Sequence, residues 1–260
     1  MDEQTVPQFS PVEPPPQEST SVLSRYFNVL ASPGEAFNGV GTLESKTSLW
    51  LVPMIILILI TMGIAALTMS NPAIQQEMKE KVSQKMQKNV QDGKMTQEQA
   101  DKYADVGGGW GKIMAIVGPI FGVPFFWLFM TLLYWVILAF IIGGEISWIN
   151  AFTVVALGSA VYLIQAVITG LLVYATGSFT TQINLGFLVS GDTNATLHAL
   201  FSRIDPFSFW QMWVLCIGFS KVSDLTLKKA AYGVVGLWLV WSAILVSTAN
   251  VEFMKSFSGM

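Results

Sequence analysis

The strongest constraint on this chain is a long run without formal charge, residues 113–142. About 20 apolar residues are enough for a helix to cross the hydrocarbon core of a bilayer, and this run is longer. Inside lipid every backbone N–H and C=O group must find a partner within the protein, so a single spanning segment of this kind is a helix. The sequence therefore predicts an integral membrane protein.

Further apolar segments recur along the chain at a length suited to crossing a bilayer. Residues 143–150 leave room only for a tight link after the first run, so residues 151–175 are expected to return as an antiparallel neighbour. We predict an all-α, polytopic integral membrane protein with five transmembrane helices, at about 49–69, 113–142, 151–175, 205–220 and 225–249. The last four spans form a bundle over 113–249.

Composition supports this class and argues against several functions. Only 12% of the residues are charged, and the mean hydropathy is +0.54. The net charge of −3 argues against nucleic-acid binding, which depends on clustered Lys and Arg. Cys216 and His198 are the single residues of their types, so no disulfide within the chain, no metal cage and no cofactor are expected. Motifs of the HExxH, GxSxG and P-loop kinds are missing, and we predict that the protein is not an enzyme.

The segments around the first span have their own patterns. Residues 1–20 are rich in proline and predict a disordered tail, and residues 250–260 form a C-terminal tail. Residues 21–48 predict two short amphipathic helices, with Ser21 as a cap and Pro33 in the first turn of the second. These helices either lie in the membrane interface or pack on the spans as a lid.

Residues 70–112 are hydrophilic and predict an extramembrane helical hairpin after the first span. Asp92 and Gly93 break the first helix, Thr96 and Gln99 form a capping box for the second, and glycines 107–109 predict a flexible link. The hairpin is either an arm that binds another protein or a solvated connector.

Glycine and proline predict kinks and close helix packing in two of the spans. In the second span they interrupt regular helix geometry, and in the last span they leave room for a neighbouring helix. The residues are Gly118, Pro119, Gly122, Pro124, Gly233 and Gly236.

Polar residues near the spans are the candidate functional positions. Gln165 lies near the middle of the third span, where an unpaired amide is unfavourable, so it is either a hydrogen-bonding contact between helices or part of a polar path. Charges at the span ends are candidate contacts for a partner or for a polar path, although solvation also explains them. They are Glu145, Asp205, Lys221 and Asp224.

Several segments together resemble the YIP family of five-span membrane proteins. They are 32–37 before the first span, Gly143-Gly144-Glu145 followed by Ala151-Phe152, Ile204-Asp205-Pro206-Phe207 through Trp213, and the turn from Lys221 to Lys229 with Ala230. The resemblance covers roughly residues 25 to 250. It implies a polytopic membrane domain with a cytoplasmic N-terminus. Eukaryotic members are linked to small GTPases and vesicle traffic, whereas this chain, with its long lysine-rich loop, looks like the bacterial kind.

Orientation follows from the lysines and arginines of the short segments. Arg25, Lys46, Lys221, Lys228 and Lys229 lie on the side of the N-terminus, against Arg203 and Lys255 on the other. The positive-inside rule then predicts a cytoplasmic N-terminus and an outside C-terminus, in a bacterial cytoplasmic membrane. The long loop would reverse this count, but long segments translocate with less regard to charge.

Two functions remain open. The first is a non-enzymatic scaffold or accessory subunit whose partners are membrane lipids and a membrane protein or a second copy of the chain. The second is a transporter, channel or lipid-moving protein with a polar path near the second and third spans. A polar cavity lined by Gln165 or Glu145 favours transport, and a solid apolar core with exposed grooves favours the scaffold.

Overall fold

Four long apolar helices dominate the structure. The computed structural model describes residues 21–43, 45–189 and 194–249, with only the backbone for 104–108. Within that part of the chain, the helices long and apolar enough to cross a membrane are Thr47–Ser70, Gly109–Ile141, Trp148–Thr176 and Leu227–Ser247. The protein is therefore a multi-pass, helical membrane protein.

The predicted span at 205–220 corresponds to a helix that is shorter than these four. This helix, α9 (Pro206–Val222), follows the short helix α8 (Ala195–Phe201). It has 17 residues and extends about 26 Å at the α-helical rise. A bilayer core is about 30 Å thick, so α9 falls short of its full thickness. The count of five crossings stays a prediction.

A broken helix forms the centre of the bundle. α6 (Trp148–Gly158) and α7 (Ala160–Thr176) follow one another across Ser159, and nearly every residue of α6 is buried. The Ser159 hydroxyl donates to the Ala156 carbonyl at 2.7 Å and lies 3.2 Å from the Tyr26 hydroxyl. Hydrogen bonding to the preceding turn is one of the ways in which a serine bends a helix.

The helices before the first span pack against this centre with one face. In α1 (Val22–Ala31), Tyr26 and Val29 are fully buried, whereas Phe27 is 47% exposed. After α2 (Pro33–Ala36), the buried ring of Phe37 occupies the space beside Gly218 of α9, where an added Cβ would lie 2.9 Å from it. The two helices therefore cover the bundle as a lid, and Leu23 and Phe27 stay exposed on the outer face of α1. Ser21 caps α1 through the Ser24 amide at 3.1 Å, as predicted.

The hydrophilic segment forms two packed helices. After α3 (Thr47–Ser70), α4 (Pro72–Gln91) packs along the first part of α5 (Gln97–Val136). We call residues 72–103 the arm. The capping box predicted at Thr96 and Gln99 is present.

The helix α5 continues through residues 107–109, so the flexible link predicted there is wrong. Each helical glycine costs about 1 kcal/mol relative to alanine. The capping box before the glycines and the apolar span after them stabilise the helix across this segment. The boundary predicted at residue 112 falls inside α5, which at 40 residues is about 60 Å long.

Two tight links complete the bundle. Residues 137–141 end α5 in a π-helical turn, and Gly143 follows with a φ of 79°, a left-handed conformation that glycine adopts readily. A Cβ on Gly144 would lie 2.6 Å from the Leu225 side chain, so only glycine fits between this link and the link to α10 (Leu227–Ser247).

Replacing Phe37 by alanine should lower the free energy of unfolding by about 3–5 kcal/mol, because it empties a fully buried site between α2 and α9. The matched control is Phe27→Ala, on the exposed face of α1, where a loss below about 1 kcal/mol is expected. Thermal unfolding of the purified protein in detergent measures both. Equal losses in the two variants would show that the lid does not pack on the bundle.

Candidate functional site

Two of the predicted polar residues meet inside the bundle. The Gln165 amide of α7 donates to the Asp205 carboxylate at 3.0 Å, and Asp205 is only 8% exposed. The same carboxylate accepts from the Phe207 amide and the Ser208 hydroxyl, each at 3.0 Å, and so caps α9. All three donors come from the protein itself.

The contact between Gln165 and Asp205 lies about three turns before the C-terminal end of α7. Gln165 is about 16 Å along the helix from Thr176 at the α-helical rise. A carboxylate at such a depth is unfavourable unless donors surround it. The Gln165–Asp205 contact therefore fixes where α9 begins and joins it to α7.

A groove runs along the other side of Gln165. It has a volume of about 540 Å³ and lies between α3, α5 and α7. Its walls are mainly apolar, with Tyr162 and Gln165 among the polar contributions. Other lining residues are Leu57, Gly118, Pro119, Gly122 and Phe126.

The glycines and prolines of the predicted kink line this groove or lie close to it. Pro119 and Pro124 both fall inside α5, which stays one helix across them. A Cβ on Gly118 or Gly122 would meet no atom within 4 Å, so these glycines leave space and contact no helix of the described chain.

The two glycines predicted for packing in α10 differ from each other. A Cβ on Gly233 would lie 2.6 Å from the Leu138 side chain, so α10 approaches the end of α5 closely there. Beside Gly236 the space is open to 4 Å.

The remaining candidate charges lie together at the opposite end of the bundle. The Asp224 carboxylate accepts from the Glu145 amide at 2.7 Å, which joins the α5–α6 link to the α9–α10 link. The Glu145 and Lys221 side chains are exposed to solvent. The structure thus gathers four of the five candidates into two separate contacts, and both contacts hold links or helix ends.

The arm carries a second cavity that the sequence analysis missed. An open cleft of about 600 Å³ lies between its two helices near the Asp92–Gly93 turn. It is lined by Val82, Met86, Lys94, Met95, Gln99 and Tyr103. Val82 and Met86 lie four residues apart on α4. Met95 and Tyr103 lie beyond the turn, and only the fold brings them beside Met86.

The base of the arm is attached to the loop after α7. The Glu77 carboxylate accepts from the Phe179 amide at 3.0 Å and pairs with Lys81 at 3.1 Å. Asn71 donates to the Tyr174 carbonyl at 2.8 Å. Burial raises the pKa of Glu77, but the hydrogen bonds from Phe179, Lys81 and Ser178 outweigh it and hold the pKa below its usual value.

Residues suited to metal binding or nucleophilic chemistry are scattered. Among the described residues, no three of the His, Cys, Asp and Glu side chains come close enough to hold a metal ion. Cys216 is buried in α9, and a ring nitrogen of His198 lies 2.7 Å from the Val189 carbonyl.

The family model of the Yip1 domain matches residues 27–248, which include every described span. The chain belongs to the Yip1 family. The resemblance found in the sequence is confirmed at the level of the family, which is generally non-enzymatic. No curated protein and no solved structure matches the chain.

In this Yip1-family protein the segments that carry the resemblance have structural positions. Pro33 starts α2, Phe37 is buried against α9, and Asp205 with Pro206 starts α9. Gly144 makes room for Leu225. These residues hold the fold of the Yip1-family protein together.

Asp205→Ala should destabilise the Yip1-family protein by about 2–4 kcal/mol, because it removes the cap of α9 and leaves the partly buried Gln165 amide without its acceptor. Asp205→Asn keeps an oxygen acceptor and should lose about half as much or less. Thermal unfolding in detergent compares them, and an Asp205→Ala protein as stable as the parent would contradict the structural role.

Attachment of the arm should weaken in acid. A carboxyl whose pKa is lowered on folding adds stability above its unfolded pKa, near 4.3. That stability is lost as the pH falls through the lower folded value. Hydrogen exchange at the Phe179 amide, corrected for its intrinsic rate, should therefore lose protection between about pH 5 and pH 3.

Glu77→Gln should reduce the protection of the Phe179 amide at neutral pH and remove its acid dependence. Glu98→Gln, an exposed change on the same arm, is the control and should behave as the parent does. Protection that stays constant with pH in the parent protein would refute the carboxylate contact.

Proposed function

We propose that this protein is a non-enzymatic membrane scaffold or accessory subunit that binds other membrane proteins or lipids. The observation that carries the proposal is where the polar groups and the cavities lie. The Gln165 amide hydrogen-bonds to the Asp205 carboxylate where α7 meets the start of α9, while the arm cleft and the groove are open at the surface. Exposed grooves around a solid core are the pattern that favours a scaffold.

The packing of the centre supports this choice. α6 buries nine of its eleven residues, and Gly158 and Gly218 allow α9 to pack closely on it. A path for a polar solute would have to pass through this close contact between α6 and α9.

The cleft of the arm is the proposed contact for a protein partner. Met86 and Met95 are flexible apolar side chains that adapt to different surfaces, and Tyr103 is 58% exposed. Glu145, Lys221 and Asp224 are proposed as additional contacts at the opposite end. A second copy of this chain is included among the partners.

The placement in the cell is also a proposal. We assign the protein to the bacterial type of the family and to the bacterial cytoplasmic membrane, with five crossings, the N-terminus in the cytoplasm and the C-terminus outside. The support is the charge of the short segments, with Arg25 and Lys46 before the first span, Lys221 at the end of the fourth, and Lys228 and Lys229 at the start of the last. The arm then stands outside the bilayer.

A lipid-moving role is the second candidate, and the groove favours it. Gln165 and Tyr162 line a surface that is otherwise largely apolar and lies between three helices. An acyl chain suits this lining better than a polar solute does. Acceleration of lipid transfer between vesicles by the reconstituted protein, lost in Gly118→Leu, would favour this candidate.

A photoreactive amino acid at position 103 should cross-link a protein partner in native membranes, because this residue lines the exposed arm cleft. Met86→Asp, within the cleft, should abolish the cross-link. Lys85→Asp, on an exposed position of the same helix, is the control and should leave it unchanged.

Mass spectrometry of the cross-linked product identifies the partner. Loss of the same partner on deleting residues 73–105 would agree with the accessory role. Only lipid or a small solute at position 103, with no protein cross-link, would contradict that role.

A further inference from the structure

Arg203 is a cation without a partner in the part of the chain that the structure describes. Its guanidinium makes no hydrogen bond and no ion pair there, and its Nε atom is buried. The charge of Asp205 acts on Arg203 electrostatically. However, the two carboxylate oxygens of Asp205 already accept hydrogen bonds from Gln165, Phe207 and Ser208. Burial lowers the pKa of Arg203, and Asp205 only partly opposes this effect.

Two more buried polar atoms near Arg203 lack partners among the described residues. The Ser202 hydroxyl and the side-chain oxygen of Gln182 both lie beside Gly186. A Cβ on Gly186 would contact the Ser202 hydroxyl and lie 2.7 Å from the Gln182 oxygen, so these atoms face one small space. The Leu185 amide donates to the Ile204 carbonyl at 3.1 Å and holds the two segments side by side.

The surface around this cluster is apolar. Phe187 is 65% exposed, Leu188 59%, Leu200 49% and Ile204 41%. In a multi-pass membrane protein such a surface contacts lipid. Because α9 begins below the end of α7, Arg203 lies close to the hydrocarbon, and its long side chain can reach toward the headgroups.

We propose that Arg203 binds the phosphate of a membrane phospholipid. A guanidinium matches phosphate with two parallel N–H donors, which the terminal nitrogens of Arg203 can supply. Phosphate is the anion that the headgroups of a bilayer offer to a side chain reaching up from this position. This site names a lipid partner for the proposed accessory role and rests on that role, but it is measured without any protein partner.

Native mass spectrometry of the purified protein tests the site. The full chain in a maltoside detergent and phosphate-free buffer is mixed with phosphatidylglycerol, or with diacylglycerol carrying the same chains. Wild type should retain phosphatidylglycerol and not diacylglycerol. Arg203→Ala should bind the phospholipid roughly tenfold or more weakly, because charge-assisted hydrogen bonds are lost.

Two further variants separate the site from general effects of charge and folding. Lys112→Ala removes an exposed cation in the first turn of another span and should retain the lipid as wild type does. Arg203→Lys keeps the charge without the two-pronged donor geometry and should fall between wild type and Arg203→Ala. It also keeps the test valid if the alanine variant fails to fold.

Thermal stability gives a second readout. Phosphatidylglycerol should raise the unfolding temperature of wild type but not of Arg203→Ala, and without lipid the two proteins should be equally stable. Equal lipid retention by Arg203→Ala, equal retention of diacylglycerol, or the same stabilisation by inorganic phosphate alone would each overturn the assignment. A protein partner lost with the arm cleft but unaffected by Arg203→Ala would leave the accessory role standing while the lipid site fails.

Discussion

The structure depends on satisfying one carboxylate inside a largely apolar bundle. Asp205 is 8% exposed and accepts three hydrogen bonds, from Gln165, Phe207 and Ser208. An unpaired carboxylate would be strongly unfavourable there. The start of α9 therefore lies where the side-chain amide of Gln165 can donate to Asp205. This requirement explains why α9 is short and why the chain before it turns back into the bundle.

The same requirement divides the molecule into a closed centre and adaptable surfaces. α6 and α9 pack closely on each other at Gly158 and Gly218, while polar contacts at both ends hold the links. The cleft of the arm and the groove beside Gln165 remain open to the surroundings, and the surface around Arg203 exposes apolar side chains. A membrane protein built in this way is suited to binding neighbours in the bilayer.

Much of the fold could be predicted from hydrophobic runs and capping residues. The spans near 49–69, 113–142 and 151–175, the Ser21 cap and the capping box at Thr96 depend on local sequence. The contact between Gln165 and Asp205 could not be predicted, since it joins residues from two helices and depends on the depth at which α9 starts. The arm cleft was missed for the same reason, and the helix through 107–109 follows from its neighbours rather than from glycine itself.

The most direct measurement is a double-mutant cycle between Gln165→Leu and Asp205→Ala, read as the free energy of unfolding in detergent or bicelles. If the polar pair is structural, the two changes together should destabilise less than the sum of the single changes, by about 0.5–1.5 kcal/mol. Additive losses within about 0.3 kcal/mol would contradict the account. Gln165 would then be a free polar group of the groove, as a transport path requires.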